Sequence, residues 1–457
     1  MASDRKRPKS SKNEQRATSY LALAARLRAG ETTVAKELEA RLKRLDAVEP
    51  TLKAFVHVAR DAARAAAKAS DARWKKNKPL SPIDGMPIAI KDIIETFDMP
   101  TGQGSPMWKD FATKRDAAVV QALREAGAII LGKTTTTEFA SSHPFAPTTN
   151  PHDASRTPGG SSSGSAAAVG AGIVPAALGT QVVGSTLRPA SFCGCVGFKP
   201  TFGAINRGGS YDYLSQSATG VIAATPNDAW MVASAIAQRV GGDPGFPGLI
   251  GPELPPEARA PHRLVVLQTA GWSKTTDGAR KAFDGARKRL SGLGIELIDR
   301  SGDPDIEALE HAISEALPLT LAINAWESAW PLGAYEVQDA KALSGPARQR
   351  LVDARKMTPD DYRGMLRRRE DIRARYAYVA ARADAIVALG ATGAAPVGLG
   401  FTGDTSMNVP ASLLGTPAIT LPLLQDGHMP LGLQLIGRKD EDADLMALAD
   451  WVWQNYG

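Results

Sequence analysis

Cysteine and histidine are scarce in this chain of 457 residues. The two cysteines, Cys193 and Cys195, lie close together inside an apolar segment and cannot form a disulfide framework. A lone C-x-C pair without further Cys or His nearby is a poor zinc site, so we expect two buried free thiols. The six histidines show no HExxH spacing. We therefore predict no metal site and no cofactor.

Long apolar runs are also missing. No run reaches the roughly 18 residues that a membrane-spanning helix needs, and residues 1–16 lack the apolar segment of a secretory signal. With 43% hydrophobic and 22% charged residues, the composition is that of an ordinary globular protein. We expect a cytoplasmic protein that does not associate with a membrane.

Positive charge is concentrated at the N-terminus. The net charge is +6, and residues 1–16 hold six basic residues against two acidic ones. Residues 1–17 are therefore predicted to be a disordered basic tail. A tail of this kind could contact nucleic acid or an acidic partner, but the body contains no nucleic-acid-binding motif. We expect no nucleic-acid partner.

Helix-like and strand-like segments alternate along the body, residues 18–457. Apolar residues from Val34 to Val48 recur every three or four positions, which predicts a helix. MPIAI at 86–90 is typical of a buried strand, and it leads directly to Lys91. Residues 305–383 are mostly helical, and 240–380 is the least distinctive section. The alternation predicts one large α/β domain.

One apparent nucleotide motif is rejected on physical grounds. Residues 127–134 satisfy the G-x-x-x-x-G-K-T pattern of a phosphate-binding loop. In such a loop the residues between the glycines expose their N–H groups to phosphate. Here those residues, Ala128 to Leu131, are apolar and form the strand themselves, so they cannot also be the loop.

The segment from Gly159 to Thr201 contains the candidate chemistry. It combines glycines and serines with apolar stretches that indicate burial, which argues against a flexible linker. A serine becomes a good nucleophile only when a neighbouring base takes its proton. Lysine serves as that base only when neutral, and burial can lower its pKa from about 10.4 by several units. Lys91, with apolar residues on both sides, is a candidate base.

Several ordered motifs resemble the amidase signature family of serine hydrolases. They are GMPIAIKD at 85–92, LGKTTTTEF at 131–139, GGSSSGSAAA at 159–168 and GTQVVGSTLRPASFCGCVGFKPT at 179–201. The resemblance spans residue 18 to the C-terminus. It implies a single large domain with a central mixed, twisted β-sheet covered by helices on both faces. It also implies a reaction without a cofactor.

The resemblance assigns roles to individual residues. Lys91 resembles the family's base, Ser161 the bridging serine beside a cis peptide, and Ser185 the nucleophile that forms an acyl-enzyme. Backbone N–H groups of Val182, Val183, Gly184 and Ser185 would form the oxyanion hole. Four further side chains are candidates for substrate binding: Ser162, Gln181, Phe145 and Trp326.

The nucleophile loop departs from the family pattern, which commonly reads GTDTGGSIR. Gln181 stands at the acidic position, and Val183 replaces a glycine although a β-branched residue resists positive φ. Leu187 occupies the customary arginine position, with Arg188 one place later. Ser163 stands where a glycine is common. These departures leave the three proposed catalytic side chains in place.

The resemblance implies an amidase that cleaves a small carboxylic amide to an acid and ammonia or an amine. Two alternatives stay open. One is an amidotransferase-type subunit that acts with a partner on glutamine and tRNA. The other is a catalytically silent binding protein on the same scaffold, which the Gln181 and Val183 departures motivate. For the amidase we expect a small-molecule amide as the partner, and a homodimer is one possible assembly.

Overall fold

The strand that carries Lys91 lies inside a large sheet, with a neighbouring strand on each side. PIAIK follows a turn at Gly85, whose φ is +90°, and all five of its residues are buried. Our description rests on a computed structural model and covers residues 19–141, 146–211 and 213–456. Within these residues the strands form one eleven-stranded sheet. The strands are β1 Phe55–Val58, β2 Pro87–Lys91, β3 Ile129–Thr134, β4 Ala176–Gln181, β5 Val196–Lys199, β6 Ala218–Ala223, β7 Arg263–Val266, β8 Glu296–Ile298, β9 Ala385–Leu389, β10 Ala418–Asp426 and β11 Met429–Ile436.

The sheet is mixed, as the sequence predicts. Its strand order is β1-β3-β2-β4-β6-β5-β10-β11-β9-β7-β8. Strand β2 runs parallel to β3 and β4, and β7 runs parallel to β8 and β9, whereas the other pairs are antiparallel. Because β2 and β4 are neighbouring parallel strands, their carboxyl ends meet at the same edge of the sheet. Lys91 ends β2 and Gln181 ends β4, so this edge brings two parts of the predicted site together.

Helices flank the sheet and bury their apolar faces against it, which confirms the predicted single-domain α/β class. Side-chain caps begin several of them: Thr33, Thr225 and Thr276 each accept a backbone N–H from the first turn. The helices are α1 Tyr20–Arg28, α2 Val34–Leu52, α3 Arg60–Trp74, α4 Ala118–Glu125, α5 Ser163–Gly170, α6 Leu187–Cys193, α7 Pro226–Val240, α8 Asp277–Gly292, α9 Pro304–Ile313, α10 Ala316–Asp339, α11 Gly345–Ala354, α12 Pro359–Ala380, α13 Val409–Leu414 and α14 Asp442–Asn455.

Most elements predicted from periodicity are present. The apolar positions of α2 are buried against the core, and residues 305–383 form α9 to α12. The rejected phosphate-loop motif contains β3, and Lys133 on that strand lies 3.1 Å from the Asp92 carboxylate. Cys193 and Cys195 are free and buried. The basic tail at 1–17 lies outside the described residues.

The described residues contain neither a candidate membrane-spanning helix nor a candidate metal-binding cluster. In the described ranges, no helix combines the length and apolar composition that a bilayer span requires. The same part of the chain contains no group of three His, Cys, Asp or Glu side chains that could hold a metal ion.

Candidate active site

Lys91 is completely buried at the carboxyl end of β2. Its Nζ donates hydrogen bonds to the Ser161 hydroxyl at 2.7 Å and to the Thr180 hydroxyl at 2.8 Å. Thr180 belongs to the neighbouring strand β4, so the parallel pairing of β2 and β4 fixes one of these contacts. The structure therefore brings together the lysine and the first serine that the sequence singled out.

Ser161 lies in the glycine-rich turn that precedes α5. The Gly160–Ser161 peptide bond is cis, and Gly159 has a φ of +86°. A Cβ on Gly159 would come within 2.8 Å of the Pro189 backbone, so only glycine fits there. Arg188 is buried and its Nη2 donates to the Gly160 carbonyl at 2.6 Å. The displaced arginine thus holds the backbone immediately before Ser161.

Ser185 lies in the short loop between β4 and α6 and is 7% exposed. Its carbonyl accepts a hydrogen bond from the Ser162 N–H at 3.3 Å, which ties the two serine-bearing loops together. Ser161 and Ser185 line the same cavity. Ser162 itself is completely buried and does not line that cavity, so the structure places it in the supporting wall and not against a substrate.

The loop before Ser185 leaves backbone donors available. Among the described residues, no acceptor receives a hydrogen bond from the N–H groups of Val182, Val183, Gly184 or Ser185. Val182 lines the cavity beside Ser185. Val183 does not adopt positive φ, and its side chain packs against an apolar cluster that includes Leu187. Valine is therefore accommodated without left-handed backbone.

Gln181 is a positioning residue for this loop. Its Oε1 accepts the N–H groups of Thr186 and Leu187, each at 3.0 Å, and its Nε2 donates to the Ser412 hydroxyl at 3.2 Å. The side chain is fully buried and does not line the cavity. We predicted that Gln181 contacts the substrate, but its location does not match that prediction. Its side-chain oxygen accepts the first N–H groups of α6 and does not face the cavity.

The cavity contains about 620 Å³ of empty space, solvent at its mouth included. Aromatic side chains and one cation stand opposite the serines. Phe139 and Tyr335 pack with ring centroids 5.2 Å apart. The residues of this wall are Phe139, Tyr211, Tyr213, Ser328, Pro331, Leu332, Tyr335 and Arg350.

Arg350 is the basic side chain of this wall. Its Nη1 donates to the Ser141 hydroxyl at 2.6 Å. Burial lowers the pKa of Arg350, and the nearby Glu138 carboxylate opposes that change. Burial also raises the pKa of Glu138, which accepts the Ser344 N–H at 3.3 Å. The cavity therefore presents a cation that could bind an anionic substrate group.

Trp326, another predicted substrate residue, is not in this cavity. It lies on α10, stacks on Tyr362 at 5.5 Å and lines a separate cleft, whereas Ser328 and Leu332 of the same helix line the cavity of Ser161 and Ser185. The sequence thus indicated the right helix but the wrong face. Phe145 lies outside the described residues.

Sequence reasoning missed most of the substrate wall. Tyr211, Tyr213, Tyr335 and Arg350 come from three separate segments, and no short motif connects them. Phe139 was the one available signal, because it ends the LGKTTTTEF motif, which begins within β3 and continues past its end.

The buried lysine and the two linked serine loops meet at one cavity. A family model described as Amidase matches residues 36–446. The chain therefore belongs to the amidase family, and enzyme activity on carbon–nitrogen bonds is the function that this membership supports.

Individual proteins are similar over nearly the whole chain. The A subunit of glutamyl-tRNA(Gln) amidotransferase from Chloroflexus aurantiacus is 33% identical, over 94% of each chain. A solved amidase superposes with a TM-score of 0.84 at 27% identity, covering 96% of this chain and all of the other. The corresponding amidotransferase subunit from Thermotoga maritima gives a TM-score of 0.73 at 26% identity, covering 92% of each.

These relatives correct one expectation. From the family resemblance we expected a small-molecule amide as the partner, and from the lack of a nucleic-acid-binding motif we expected no nucleic acid. The expectation that no nucleic acid is involved is wrong for this family. The Chloroflexus relative is named as one subunit of a glutamyl-tRNA(Gln) amidotransferase. A short-motif search missed this because a subunit can serve such an enzyme without carrying a recognisable nucleic-acid-binding motif itself.

Proposed function

We propose that the chain is a serine amidase in which Lys91, Ser161 and Ser185 form a proton relay. The observation that carries this proposal is the 2.7 Å hydrogen bond from Lys91 to Ser161, next to a cavity that Ser161 shares with Ser185. A buried lysine in contact with a hydroxyl can take up a proton through it, provided the lysine is neutral.

The reaction follows from this arrangement. Ser185 attacks the amide carbonyl while its proton passes through Ser161 to neutral Lys91. The tetrahedral intermediate then collapses, and the same path returns the proton to the departing ammonia or amine. Water attacks the resulting acyl-Ser185 ester by the same relay, releases the acid and restores the serine.

The N–H groups of residues 182–185 are proposed to stabilise the oxyanion. One such donor contributes about 2.7–4 kcal/mol to the transition state when it is held in place beforehand. Gln181 supports this loop by accepting the N–H groups of Thr186 and Leu187. Arg188 supports the opposing loop through the Gly160 carbonyl. Both are positioning residues in this scheme.

The substrate is proposed to be a small primary amide that carries a carboxylate. Arg350 lies in the wall of the serine cavity, and guanidinium groups bind carboxylates through paired, charge-assisted hydrogen bonds. Glutamine has this chemistry and would release ammonia. That reaction suits a subunit of the kind named in the relatives, where a partner and tRNA-linked glutamate would consume the ammonia.

A second candidate is an amidase that works without an amidotransferase partner. The observation that favours it is the closer superposition on the solved amidase, at a TM-score of 0.84 against 0.73 for the Thermotoga maritima amidotransferase subunit. Glutamine hydrolysis that requires added partner subunits would support the first candidate. Efficient turnover of uncharged amides by the isolated chain would support the second.

The relay is tested by mass spectrometry after treatment with a fluorophosphonate probe. We expect an adduct on Ser185 in the wild type, slower labelling in Lys91→Ala and Ser161→Ala, and none in Ser185→Ala. Ser328→Ala is the matched control, because Ser328 lines the same cavity outside the relay. Labelling of another residue, or equal labelling rates in all variants, would contradict the relay. A folded wild type that neither labels nor turns over any amide would support the silent binding protein.

A further inference from the structure

A second cavity lies against α12 and shares no lining residue with the catalytic cavity. It contains about 1340 Å³ of empty space, solvent at its mouth included. Arg369, Arg373, Arg438 and Lys439 line it, and Glu370 is the acidic residue among its described lining. The walls therefore carry an excess of positive charge.

Two of these arginines stand one helical turn apart. Arg369 and Arg373 have i, i+4 spacing on α12, which places like charges next to each other at a cost in helix stability. Arg369 Nη1 donates to the Ser215 hydroxyl at 2.8 Å, and Arg373 Nε donates to the Leu413 carbonyl at 2.9 Å. These two acceptors are neutral, so they do not offset the charge of the guanidinium groups.

One carboxylate serves both guanidinium groups. Glu370 lies 2.9 Å from Arg373 Nη1 and 3.4 Å from Arg369 Nε. Arg373 Nη2 is buried and finds no acceptor among the described residues. Burial, together with the charge of Arg369, lowers the pKa of Arg373 to about 10. A bound anion would supply the missing acceptor and relieve the repulsion.

The other two cations have carboxylate partners outside the cavity. Arg438 pairs with Glu441 at 2.6 Å, and Lys439 lies 3.9 Å from Asp440. The Lys439 side chain is 60% exposed at the rim, where its weak pairing is easily exchanged for another anion. The positive charge is therefore unbalanced mainly at the Arg369–Arg373 pair.

Apolar side chains form the rest of the cavity. Phe202 and Phe246 pack edge to face with ring centroids 5.1 Å apart, and Leu414 lies in the same wall. Phe246 is 37% exposed although it is a large apolar residue. A ligand that joined an apolar group to an anion would cover this surface while it satisfied Arg373.

We propose that this cavity binds a small organic phosphate, with its phosphate on Arg369 and Arg373 and its apolar moiety against Phe246 and Leu414. Phosphate fits better than a single carboxylate because a dianion offers enough oxygens for two guanidinium groups and an ammonium at once. The site lies apart from Ser185, and the inference holds whether or not the chain is an amidase.

The test is calorimetric titration of the full chain at low salt with phenyl phosphate, inorganic phosphate, benzoate and phenol. Phenyl phosphate is expected to bind saturably and to weaken as salt is added. Arg373→Gln is expected to weaken it about tenfold or more, because a charge-assisted hydrogen bond is lost. Arg367→Gln is the matched control: it removes the same charge from an exposed position on the same helix and is expected to change affinity less than about twofold.

A second variant, at the rim of the cavity, provides the test if Arg373→Gln does not fold. If circular dichroism shows that Arg373→Gln is unfolded, Lys439→Gln replaces it and is expected to weaken binding about threefold at low salt. No saturable binding of phenyl phosphate by the wild type would overturn the proposal, as would equal weakening in Arg367→Gln. Equal affinity for benzoate would overturn the phosphate assignment, and equal affinity for inorganic phosphate would overturn the role of the apolar wall.

Discussion

Two buried lysines lie on neighbouring strands of the sheet, Lys91 at the end of β2 and Lys133 on β3. Strand pairing sets Lys133 opposite Ile90, so the two lysines are only one register position apart. Lys133 lies 3.1 Å from the Asp92 carboxylate and donates to the Thr101 hydroxyl and the Pro100 carbonyl. Lys91 donates instead to the hydroxyls of Ser161 and Thr180, beside the cavity.

The difference shows that burial alone does not make a lysine a base. Burial lowers the pKa of Lys133, but the Asp92 charge opposes this change and favours the ammonium form. A hydroxyl partner adds no such charge and can itself pass a proton onward. We therefore propose that Lys133 stabilises the fold and that Lys91 acts as the base. The following substitutions test this difference between the two lysines.

Lys91→Ala is expected to have the largest effect. Loss of a general base reduces kcat by about 10²–10⁴-fold, and the labelling rate of Ser185 should fall in parallel. The thermal midpoint should also fall, because the truncation leaves a cavity in the core, but the variant should remain folded. Assays of kcat with glutamine or another hydrolysed amide, next to thermal unfolding, check both parts. Near-normal kcat in a folded variant would contradict the assignment.

Lys133→Met is expected to show the opposite pattern. It leaves the Asp92 carboxylate buried without its partner, which costs about 3–5 kcal/mol of unfolding free energy. The rate of Ser185 labelling per folded molecule should stay within about threefold of the wild type. Adding Asp92→Asn to Lys133→Met should recover much of the stability in urea unfolding. If labelling falls as far as in Lys91→Ala, the division between the two lysines is wrong.

Asp228 extends the comparison to a buried acid. Its carboxylate accepts the N–H groups of Tyr20 and Leu21, yet burial raises its pKa to about 6. Because the pKa of Asp228 is higher in the folded than in the unfolded protein, its protonation stabilises the fold. This contribution to the unfolding free energy, up to about 3 kcal/mol, is complete below about pH 3.8 and is lost as the pH rises through 6. Asp228→Asn should remove this part of the pH dependence. Urea unfolding of both proteins at pH 4.5 and 7.5 measures the difference, and parallel curves would refute it.

Arg350→Gln is expected to have the smallest effect, and it acts on substrate choice. We expect kcat/KM for a carboxylate-bearing amide to fall about tenfold, and kcat/KM for an uncharged amide of similar size to change less than about twofold. Arg348→Gln, on the same helix but outside the cavity wall, is the control. Equal losses for both amides would show that Arg350 supports the fold and does not select the substrate.

The placement of Lys91 and Ser161 was more predictable from sequence than the wall of the cavity. Lys91 and Ser161 belong to short motifs whose spacing reflects strand pairing and tight glycine turns, and these are local properties. The role of Gln181 was not predictable, because its contacts with Thr186 and Ser412 depend on where α6 and α13 dock. Val183 would resist positive φ, but its backbone does not adopt positive φ, and its side chain packs against the apolar cluster that includes Leu187.

The cavity wall could not be derived in the same way. Tyr211, Tyr335 and Arg350 meet only because the loop before β6, α10 and α11 fold over one edge of the sheet. Such long-range contacts produce neither a periodic pattern nor a short motif in the sequence. The face of α10 is an example: Trp326 and Leu332 lie on one helix, and only tertiary packing decides which of them faces the serines.

The linked serine loops also affect how the substrate preference of such an enzyme can change through mutation. Both serines, Gln181 and Arg188 fall within residues 161–188, and they brace one another through the Ser162–Ser185 and Arg188–Gly160 hydrogen bonds. The surfaces that would recognise a substrate come from other segments, which make no part of this bracing. Mutations there can therefore change what the cavity accepts, while residues 161–188 keep the contacts that hold the two serine loops together.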